Sequence, residues 1–194
     1  MNKSIACLFF LACSLHSMAQ PGSATQDIDG ISFQEYQQKA LRKTADLNTY
    51  LKILCDKAMD WQEANKAINQ AVALFVNEDA TVQISTVGQA KPFIYKIRSY
   101  LTRMKLIKYS KVQIEWTNIQ YVSNLRKGPD GNYYGIISFE QVFKGYMDNR
   151  LVYTDRTRKN VEVVLKAYTR STNGRNKLTW DVLLSDIGVV VTKV

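Results

Sequence analysis

The chain has 194 residues, a formal net charge of +9 and 46% hydrophobic residues. This length suits one domain that can bury a hydrophobic core, and the positive charge favours anionic surroundings without specifying one. With one histidine and three cysteines, the chain excludes histidine-based metal sites, paired-cysteine metal sites and disulfide-rich folds.

The N-terminus has the pattern of a secretory signal peptide. Lys3 precedes an apolar run over residues 5–12, and residues 17–19 form a small-x-small cleavage site. Residues 1–19 are therefore predicted to be removed on export, which places the protein in the periplasm or outside the cell. No other apolar run approaches the roughly 20 residues that span a bilayer.

Cleavage at this site has chemical consequences. It removes His16, Cys7 and Cys13, so the mature chain keeps no histidine and only Cys55. The mature protein then lacks the usual proton shuttle and cannot form an internal disulfide. Export also makes nucleic acid the least expected of the anionic partners.

A second interpretation of the signal is a bacterial lipoprotein site. Residues 11–14 (Leu-Ala-Cys-Ser) resemble such a site, although Phe10 stands where an aliphatic residue is usual. Lipidation at Cys13 would tether the domain to a membrane, whereas cleavage after Ala19 would free it. The later site is the better fit and resembles the signals of exported Bacteroidetes-type proteins.

The predicted domain covers residues 32–194, after a flexible lead-in over residues 20–31. Ser32 and Glu35 form a capping pattern that begins a long first helix, which is predicted to end near Met59. Its apolar face is predicted to contain Phe33, Tyr36, Ala40, Leu47, Leu51, Leu54 and Ala58.

A second helix and a short strand are predicted next. Asp60 and Glu63 repeat the capping pattern, and Ala80 to Ser85 alternate with the period of a strand. The apolar face of the second helix is predicted to contain Ala64, Ala67, Ile68, Ala71, Val72 and Phe75.

Pro92 is predicted to open a third helix at its first turn, where a missing N–H costs nothing. The apolar face of this helix is predicted to contain Phe93, Ile97, Leu101 and Met104. After Lys108 the chain is predicted to form an antiparallel meander with hairpin turns at residues 128–131, 148–149 and 173–174.

Two of the long strands change phase. Trp116 is followed by Ile119, and Leu184 by Ile187, so bulky residues move to the opposite alternation. Either a bulge absorbs one residue, or each strand is buried first on one face and then on the other. Asp186 lies at the second change, where a bulge favours a short polar residue. Bulges would produce a strongly curved sheet covered by the three helices.

This order of elements resembles the nuclear transport factor two-like fold, the cone shared with ketosteroid isomerases and SnoaL-type polyketide cyclases. The residues that carry the resemblance are segments 73–77 and 80–84, Pro92, residues 100–101 and the closing segment 180–187. They are structural residues at loose spacing, over roughly two thirds of the chain, so they indicate a fold and not an activity.

The resemblance implies an α+β fold: a curved antiparallel β-sheet, or cone, covered by three N-terminal helices. Members divide among isomerases, dehydratases, cyclases and domains that only bind or dimerise. Their cone holds a pocket between sheet and helices, and the open sheet face is the usual homodimer surface. The histidine that some of the dehydratases use is absent here.

A carboxylate base with a phenol donor is the catalytic chemistry left to such a pocket. Tyr153 and Asp155 share a strand face, and Asp181 is a further carboxylate. The competing interpretation is a solvated strand edge with a salt bridge, because residues 156–159 (Arg-Thr-Arg-Lys) are basic. Such an enzyme would be an isomerase, dehydratase or cyclase.

Gln141 is a stronger indication of binding, since it lies on an otherwise apolar stripe and a buried amide needs hydrogen-bond partners. A ligand, a backbone group at a bend or a dimer contact would serve. The candidate ligand-binding residues, which are equally expected in a filled core, are Trp116, Tyr133, Phe139, Gln141 and Trp180.

The basic stretch from Lys91 to Lys111 contains no acidic residue and several tyrosines. An anionic glycan or lipid headgroup would suit it, although long basic side chains also cover core edges and solvated faces. The candidate anion-binding residues are Lys91, Lys96, Arg98, Arg103, Lys105, Arg156 and Arg158, with Lys159 in the second cluster.

The main hypothesis is an exported, non-catalytic domain that binds a small apolar molecule or a protein partner. The alternatives are the carboxylate and tyrosine enzyme above and a basic adaptor held at the cell envelope. No cofactor motif and no clustered metal-ligating carboxylates are present, so no cofactor or metal is expected. Cys55 is predicted to be a core residue of the first helix.

Overall fold

Three helices and eight strands are formed by residues 27–28, 31–172 and 175–193, which are the residues that the computed structural model describes. The helices are α1 (Phe33–Cys55), α2 (Trp61–Val72) and α3 (Ile97–Leu106). The strands are β1 (Asp27–Ile28), β2 (Ile31–Ser32), β3 (Thr81–Ile84), β4 (Phe93–Lys96), β5 (Lys111–Lys127), β6 (Tyr133–Met147), β7 (Arg150–Thr172) and β8 (Arg175–Lys193). The predicted signal peptide, with Cys13, and most of the lead-in lie outside these residues.

The main sheet has the strand order β4-β3-β8-β7-β6-β5. Every pairing in it is antiparallel except β3 with β8, where Val82 pairs with Ile187 in parallel. The three helices cover the inner face of this curved sheet. The α+β fold class is therefore confirmed, and the arrangement agrees with the nuclear transport factor two-like cone expected from the sequence.

Both predicted bulges are present. The register of β5 against β6 shifts between Thr117 and Gln120, where Asn118 has a φ of 54°. On β8 the register shifts beside Asp186, whose Oδ1 accepts hydrogen bonds from the backbone N (2.7 Å) and the hydroxyl (3.0 Å) of Thr81. A side chain thus joins β8 to β3 where the bulge interrupts the ladder.

The first helix ends earlier than predicted, at Cys55 instead of near Met59. Asp56 accepts a hydrogen bond from the backbone N of Ala58 (2.9 Å), and this local turn competes with the helix. Ala58 is consequently exposed and does not belong to the buried face. The cap of α2 is as predicted, because Asp60 accepts from the backbone N of Glu63 at 2.8 Å.

The prediction that Pro92 opens the third helix is wrong. The residues after it form β4, which pairs with β3 from Phe93 opposite Ile84 to Lys96 opposite Thr81. Because β4 is the outer strand of the sheet, Phe93 is 58% exposed instead of buried. The helix begins only at Ile97, and its predicted inner residues Ile97, Leu101 and Met104 are buried.

Two of the three predicted hairpin turns lie among the described residues. The turn at 128–131 has Gly131 at a φ of 83°, and the turn between β6 and β7 has Asp148 and Asn149 at φ values of 47° and 65°. These left-handed conformations suit glycine, aspartate and asparagine. Residues 173–174 lie outside the described residues.

The helices pack on the sheet through the predicted apolar faces. Leu47, Leu51 and Leu54 of α1 and Leu101 of α3 are fully buried. Cys55 is 5% exposed, and burial raises the pKa of its thiol to about 12, so its predicted role as a core residue is confirmed.

Candidate functional site

A cavity of about 200 Å³ lies between the inner face of the sheet and α3. Strand β7 supplies a row of polar side chains to it, because alternate residues of a strand point to one face. Most of the remaining wall is apolar or aromatic, from Ile84, Tyr100, Met104, Ile107, Tyr109, Ile114 and Phe143. An apolar cavity with a few converging polar groups is the usual form of a small-molecule site.

Tyr153, Asp155, Thr157 and Lys159 are the polar row on β7. The prediction that Tyr153 and Asp155 share a face is confirmed. The competing interpretation, a solvated edge, is wrong for Asp155, which is 6% exposed. Thr157 is also buried, and its hydroxyl lies 3.2 Å from the hydroxyl of Thr192 on β8.

The carboxyl group of Asp155 accepts one short hydrogen bond. Its Oδ2 accepts a hydrogen bond of 2.6 Å from the Tyr153 hydroxyl, while its buried Oδ1 has no hydrogen-bond partner among the described residues. Burial raises the pKa of Asp155, against the opposing effects of the Tyr153 hydrogen bond, the Lys159 charge and a weaker interaction with the Thr157 hydroxyl. Burial and the bond to Asp155 also raise the pKa of Tyr153.

Lys159 is 2% exposed and lines the same cavity. Its Nζ donates a hydrogen bond of 3.1 Å to the backbone carbonyl of Gln83 on β3, and it lies 5.8 Å from the centre of the Tyr100 ring. Burial lowers the pKa of Lys159 to about 8, although the charge of Asp155 opposes this. The described ion pairs do not include Lys159.

The basic neighbours of Lys159 predicted a surface cation, so its position in the cavity was not predicted. The available signal was the alternation itself. A face that contains residues 153, 155 and 157 of a strand also contains residue 159. Arg156 and Arg158, in the opposite phase, are exposed.

Gln141 lines the cavity from β6 and is 8% exposed. Its hydrogen-bond partner is a side chain that the sequence did not indicate: the indole N–H of Trp116 donates to its Oε1 at 3.2 Å. Trp116 also stacks on Phe139, with ring centroids 3.9 Å apart. These two rings are core residues of the sheet's inner face.

The other two candidate ligand-binding residues lie elsewhere. Tyr133 contacts Phe33 at the start of α1 and Trp180 on β8, with ring centroids 5.1 and 5.6 Å apart. Trp180 borders a surface groove beside Lys39. Of the five aromatic and amide residues proposed from the sequence, only Gln141 lines the cavity.

Asp181 is separated from this cavity. It pairs with Lys39 (2.6 Å) and Lys43 (3.5 Å) on α1. Partial burial opposes its charge, but the Lys39 hydrogen bond and the positive charges of both lysines hold the pKa of Asp181 below its usual value. Asp155 and Asp181 therefore lie in different sites, and their pKa values are shifted in opposite directions.

Acidic residues outside the basic stretch pair with two of the candidate anion-binding residues. Lys96 lies 2.7 Å from Asp79, and Arg98 lies 2.7 Å from Glu78. Both pairs are largely exposed, so each contributes little to stability. They nevertheless reduce the positive charge that a partner would meet.

The remaining basic candidates either make internal contacts or are exposed. Arg103 lies over the ring of Tyr95 (4.6 Å), and Lys105 donates to the backbone carbonyls of Asp56 and Met59. Three further candidates are exposed: Lys91, Arg156, which is 3.6 Å from Glu140, and Arg158. Anion binding by this set stays a prediction.

Metal and membrane chemistry find no site in the described part of the chain. It contains no group of three or more histidine, cysteine, aspartate or glutamate side chains arranged to hold a metal ion. No described helix combines the length and apolar composition needed to cross a bilayer.

The chain matches no protein-family model and no curated protein sequence. Its structure is similar to a proposed scytalone dehydratase of Novosphingobium aromaticivorans (12% identity, 83% of this chain and 89% of the other, TM-score 0.43). It is also similar to ActVI-ORFA of Streptomyces coelicolor (13%, 79% and 94%, 0.41) and to a hexachlorocyclohexane dehydrochlorinase, LinA Type2 (13%, 82% and 92%, 0.36). At these identities and TM-scores the likeness carries no conclusion about activity or ligand.

Proposed function

We propose that the domain binds a small, largely apolar molecule that carries one hydrogen-bond donor, in the cavity beneath α3. The observation that carries this proposal is the carboxyl group of Asp155, which lines the cavity and whose buried Oδ1 has no hydrogen-bond partner among the described residues. A buried polar atom left in this state costs about 1 to 3 kcal/mol, and more when it is charged. A ligand that donates to Oδ1 would recover that cost.

The size of the cavity limits the ligand. Drug-sized ligands occupy pockets of roughly 300 to 1,000 Å³, and an apolar cavity of about 150 Å³ holds benzene. The cavity here, at about 200 Å³, suits one ring with a short substituent. The cavity wall offers the aromatic rings of Tyr109 and Phe143 to such a ligand ring.

Binding of two isosteric probes tests the proposal. Benzyl alcohol has a hydroxyl donor, and ethylbenzene has a methyl group in its place. Substituting Asp155 with leucine is expected to weaken the binding of benzyl alcohol at least about tenfold relative to the binding of ethylbenzene, because a charge-assisted hydrogen bond contributes about 1.5 to 3 kcal/mol. Ligand-observed NMR titrations of each probe measure this ratio.

The matched control is Asp181→Asn, which removes a carboxylate outside the cavity. It should leave both affinities unchanged. An unchanged ratio of affinities in Asp155→Leu, with folding verified by circular dichroism, would mean that Oδ1 does not receive the ligand, and the proposal would be abandoned.

Proton transfer is a second candidate function, and one observation favours it. The pKa of Asp155 is raised and that of Lys159 is lowered, so a potential base and a potential acid in one cavity are both shifted toward neutrality. Tyr153 donates a hydrogen bond to Oδ2 of Asp155 and so holds the carboxyl group in the cavity wall. This corresponds to an isomerase or dehydratase type of reaction.

Deuterium exchange tests the second candidate. We expect the wild-type protein to accelerate exchange at the carbon next to the carbonyl of cyclohexanone in D₂O, as measured by proton NMR. Asp155→Asn keeps the shape but removes the base, so its rate should fall at least about a hundredfold, in line with general base catalysis. Asp181→Asn should exchange at the wild-type rate. If the wild-type protein exchanges cyclohexanone no faster than buffer that contains free lysine, proton transfer is excluded and binding remains the proposed function.

Export, homodimer formation through the outer sheet face and contact with anionic lipid or glycan are further proposals supported by the sequence. On the outer face, Val122, Ile136 and Val152 are exposed apolar side chains that a second copy would cover. The intact mass of the secreted protein distinguishes cleavage after Ala19 from lipidation at Cys13, and sedimentation gives the oligomeric state.

A further inference from the structure

We infer that Lys159 captures small carbonyl compounds in the cavity, by forming an imine between its Nζ and an aldehyde or ketone carbon. This inference rests on the proposed function, because it requires that a small molecule enters the same cavity. It goes further by naming a ligand class and a covalent contact.

The geometry places an amine where a bound ring substituent would lie. Lys159 is on the cavity side of β7, four residues from Asp155 on the same strand face. The Gln83 carbonyl holds Nζ at 3.1 Å through one N–H. A neutral amine held in this way keeps its lone pair and a second N–H for a carbonyl ligand.

The surroundings favour a neutral amine. Lys159 is 2% exposed, and the described ion pairs do not include it. Burial lowers its pKa to about 8. About a tenth of the lysine is then unprotonated at pH 7, far more than for an exposed lysine with an ordinary pKa near 10.4. Desolvation in an apolar pocket is a known way to make lysine nucleophilic.

The reaction balances with the groups present. The Nζ lone pair forms a bond to the carbonyl carbon, the C=O electron pair moves to oxygen, and a proton passes from nitrogen to that oxygen to give a carbinolamine. A proton from the solution then converts the hydroxyl into leaving water, and the nitrogen lone pair forms the C=N bond. The net change is amine plus carbonyl plus one proton to iminium plus water, with no redox step.

The wall residues serve this chemistry by limiting water. The cavity wall beside the polar row includes Tyr100, Met104 and Phe143. An apolar wall of this kind limits the access of water that would hydrolyse the iminium. The opposing explanation is that Lys159 only satisfies the Gln83 carbonyl, which would make its position structural. That explanation predicts no preferential reaction of Nζ.

Reductive trapping of the full chain separates these explanations. The probe is benzaldehyde with sodium cyanoborohydride at pH 7, since hydride addition to the iminium carbon makes the bond permanent. Intact mass gives the number of adducts, and peptide mapping gives their positions. We expect Lys159 to be labelled at least about tenfold faster than the exposed lysines, because more of it is unprotonated. Ethylbenzene, which competes for the cavity, should slow this labelling and leave surface labelling unchanged.

Two substitutions support the assignment. Lys159→Arg should remove the fast adduct, and Lys166→Arg, which changes an exposed lysine on the same strand, should keep it. If Lys159→Arg fails to fold, the wild-type peptide map with and without ethylbenzene still decides.

The outcomes distinguish failure of this inference from failure of the proposed function. If benzyl alcohol binds in an Asp155-dependent manner but Lys159 is labelled no faster than surface lysines, the imine inference is wrong and the binding proposal stands. Fast labelling that ethylbenzene does not slow would also overturn it, since the reaction would lie outside the cavity. If neither probe binds and Lys159 is not labelled, both are wrong.

Discussion

Replacing Leu101 with alanine is expected to destabilise the domain by about 3 to 4 kcal/mol, within the range for fully buried leucines. Leu101 is fully buried on α3, the helix that covers the cavity and contributes Tyr100 and Met104 to its wall. The substitution removes apolar contacts and leaves a void that the sheet beneath cannot fill completely. Urea unfolding followed by circular dichroism measures the loss.

Leu106 provides the matched control, because it lies on the same helix and is 60% exposed. Leu106→Ala makes the same chemical change with little loss of packing, so its free energy of unfolding should stay within about 0.5 kcal/mol of wild type. Equal effects of the two substitutions would show that α3 is not anchored to the core through Leu101, and the cavity roof would then be wrongly placed.

Local patterns predicted the helical faces and the bulges, because these features depend on neighbouring residues. Helical spacing identified the buried leucines of α1, and the change of phase after Leu184 identified the bulge at Asp186. The segment after Pro92 was predicted incorrectly for a physical reason. Its strand form depends on pairing with β3, and no signal within residues 93–96 reports that partner.

The candidate site divides along the same line. Alternation placed Tyr153 and Asp155 on one face, and the structure puts both in the cavity. The state of Lys159 depends on the Gln83 carbonyl, which is 76 residues away in sequence. The flanking Arg156 and Arg158 made the whole run look solvated. A charged residue in phase with a buried row therefore predicts an unusual environment better than the charge of its neighbours does.

The aromatic candidates show what alternation cannot give. Trp116, Tyr133 and Trp180 were all predicted on inner faces, and each does pack against the core. A strand as long as β6 or β8 passes from one end of the cone to the other, so residues of one face reach separate surroundings. Which of them border the cavity depends on where α3 crosses the sheet, and that is set by tertiary packing.

We expect the stability of the wild-type protein to increase by about 2 kcal/mol relative to Lys159→Met when the pH rises from 7 to 10. The pKa of Lys159 is lowered to about 8 in the folded state. Between that value and the ordinary lysine pKa, the unfolded chain binds more protons than the folded one, so the free energy of unfolding rises with pH. Below pH 8 the buried ammonium imposes its full cost, which deprotonation relieves.

The variant should not show this increase. The Lys159 charge lowers the pKa of Asp155, so in the variant that pKa should rise further. A carboxyl group with a raised pKa in the folded state loses stability as the pH rises, which enlarges the difference between wild type and variant. Three phenols line the same cavity, and all three, Tyr100, Tyr109 and Tyr153, are present in both proteins. Lys166→Met, which removes an exposed ammonium, should follow the wild-type curve in urea titrations monitored by circular dichroism.

Parallel curves for wild type and Lys159→Met would mean that water reaches Nζ. In that case Lys159 would be an ordinary solvated cation, and the cavity would not supply the dry environment on which its reactivity depends.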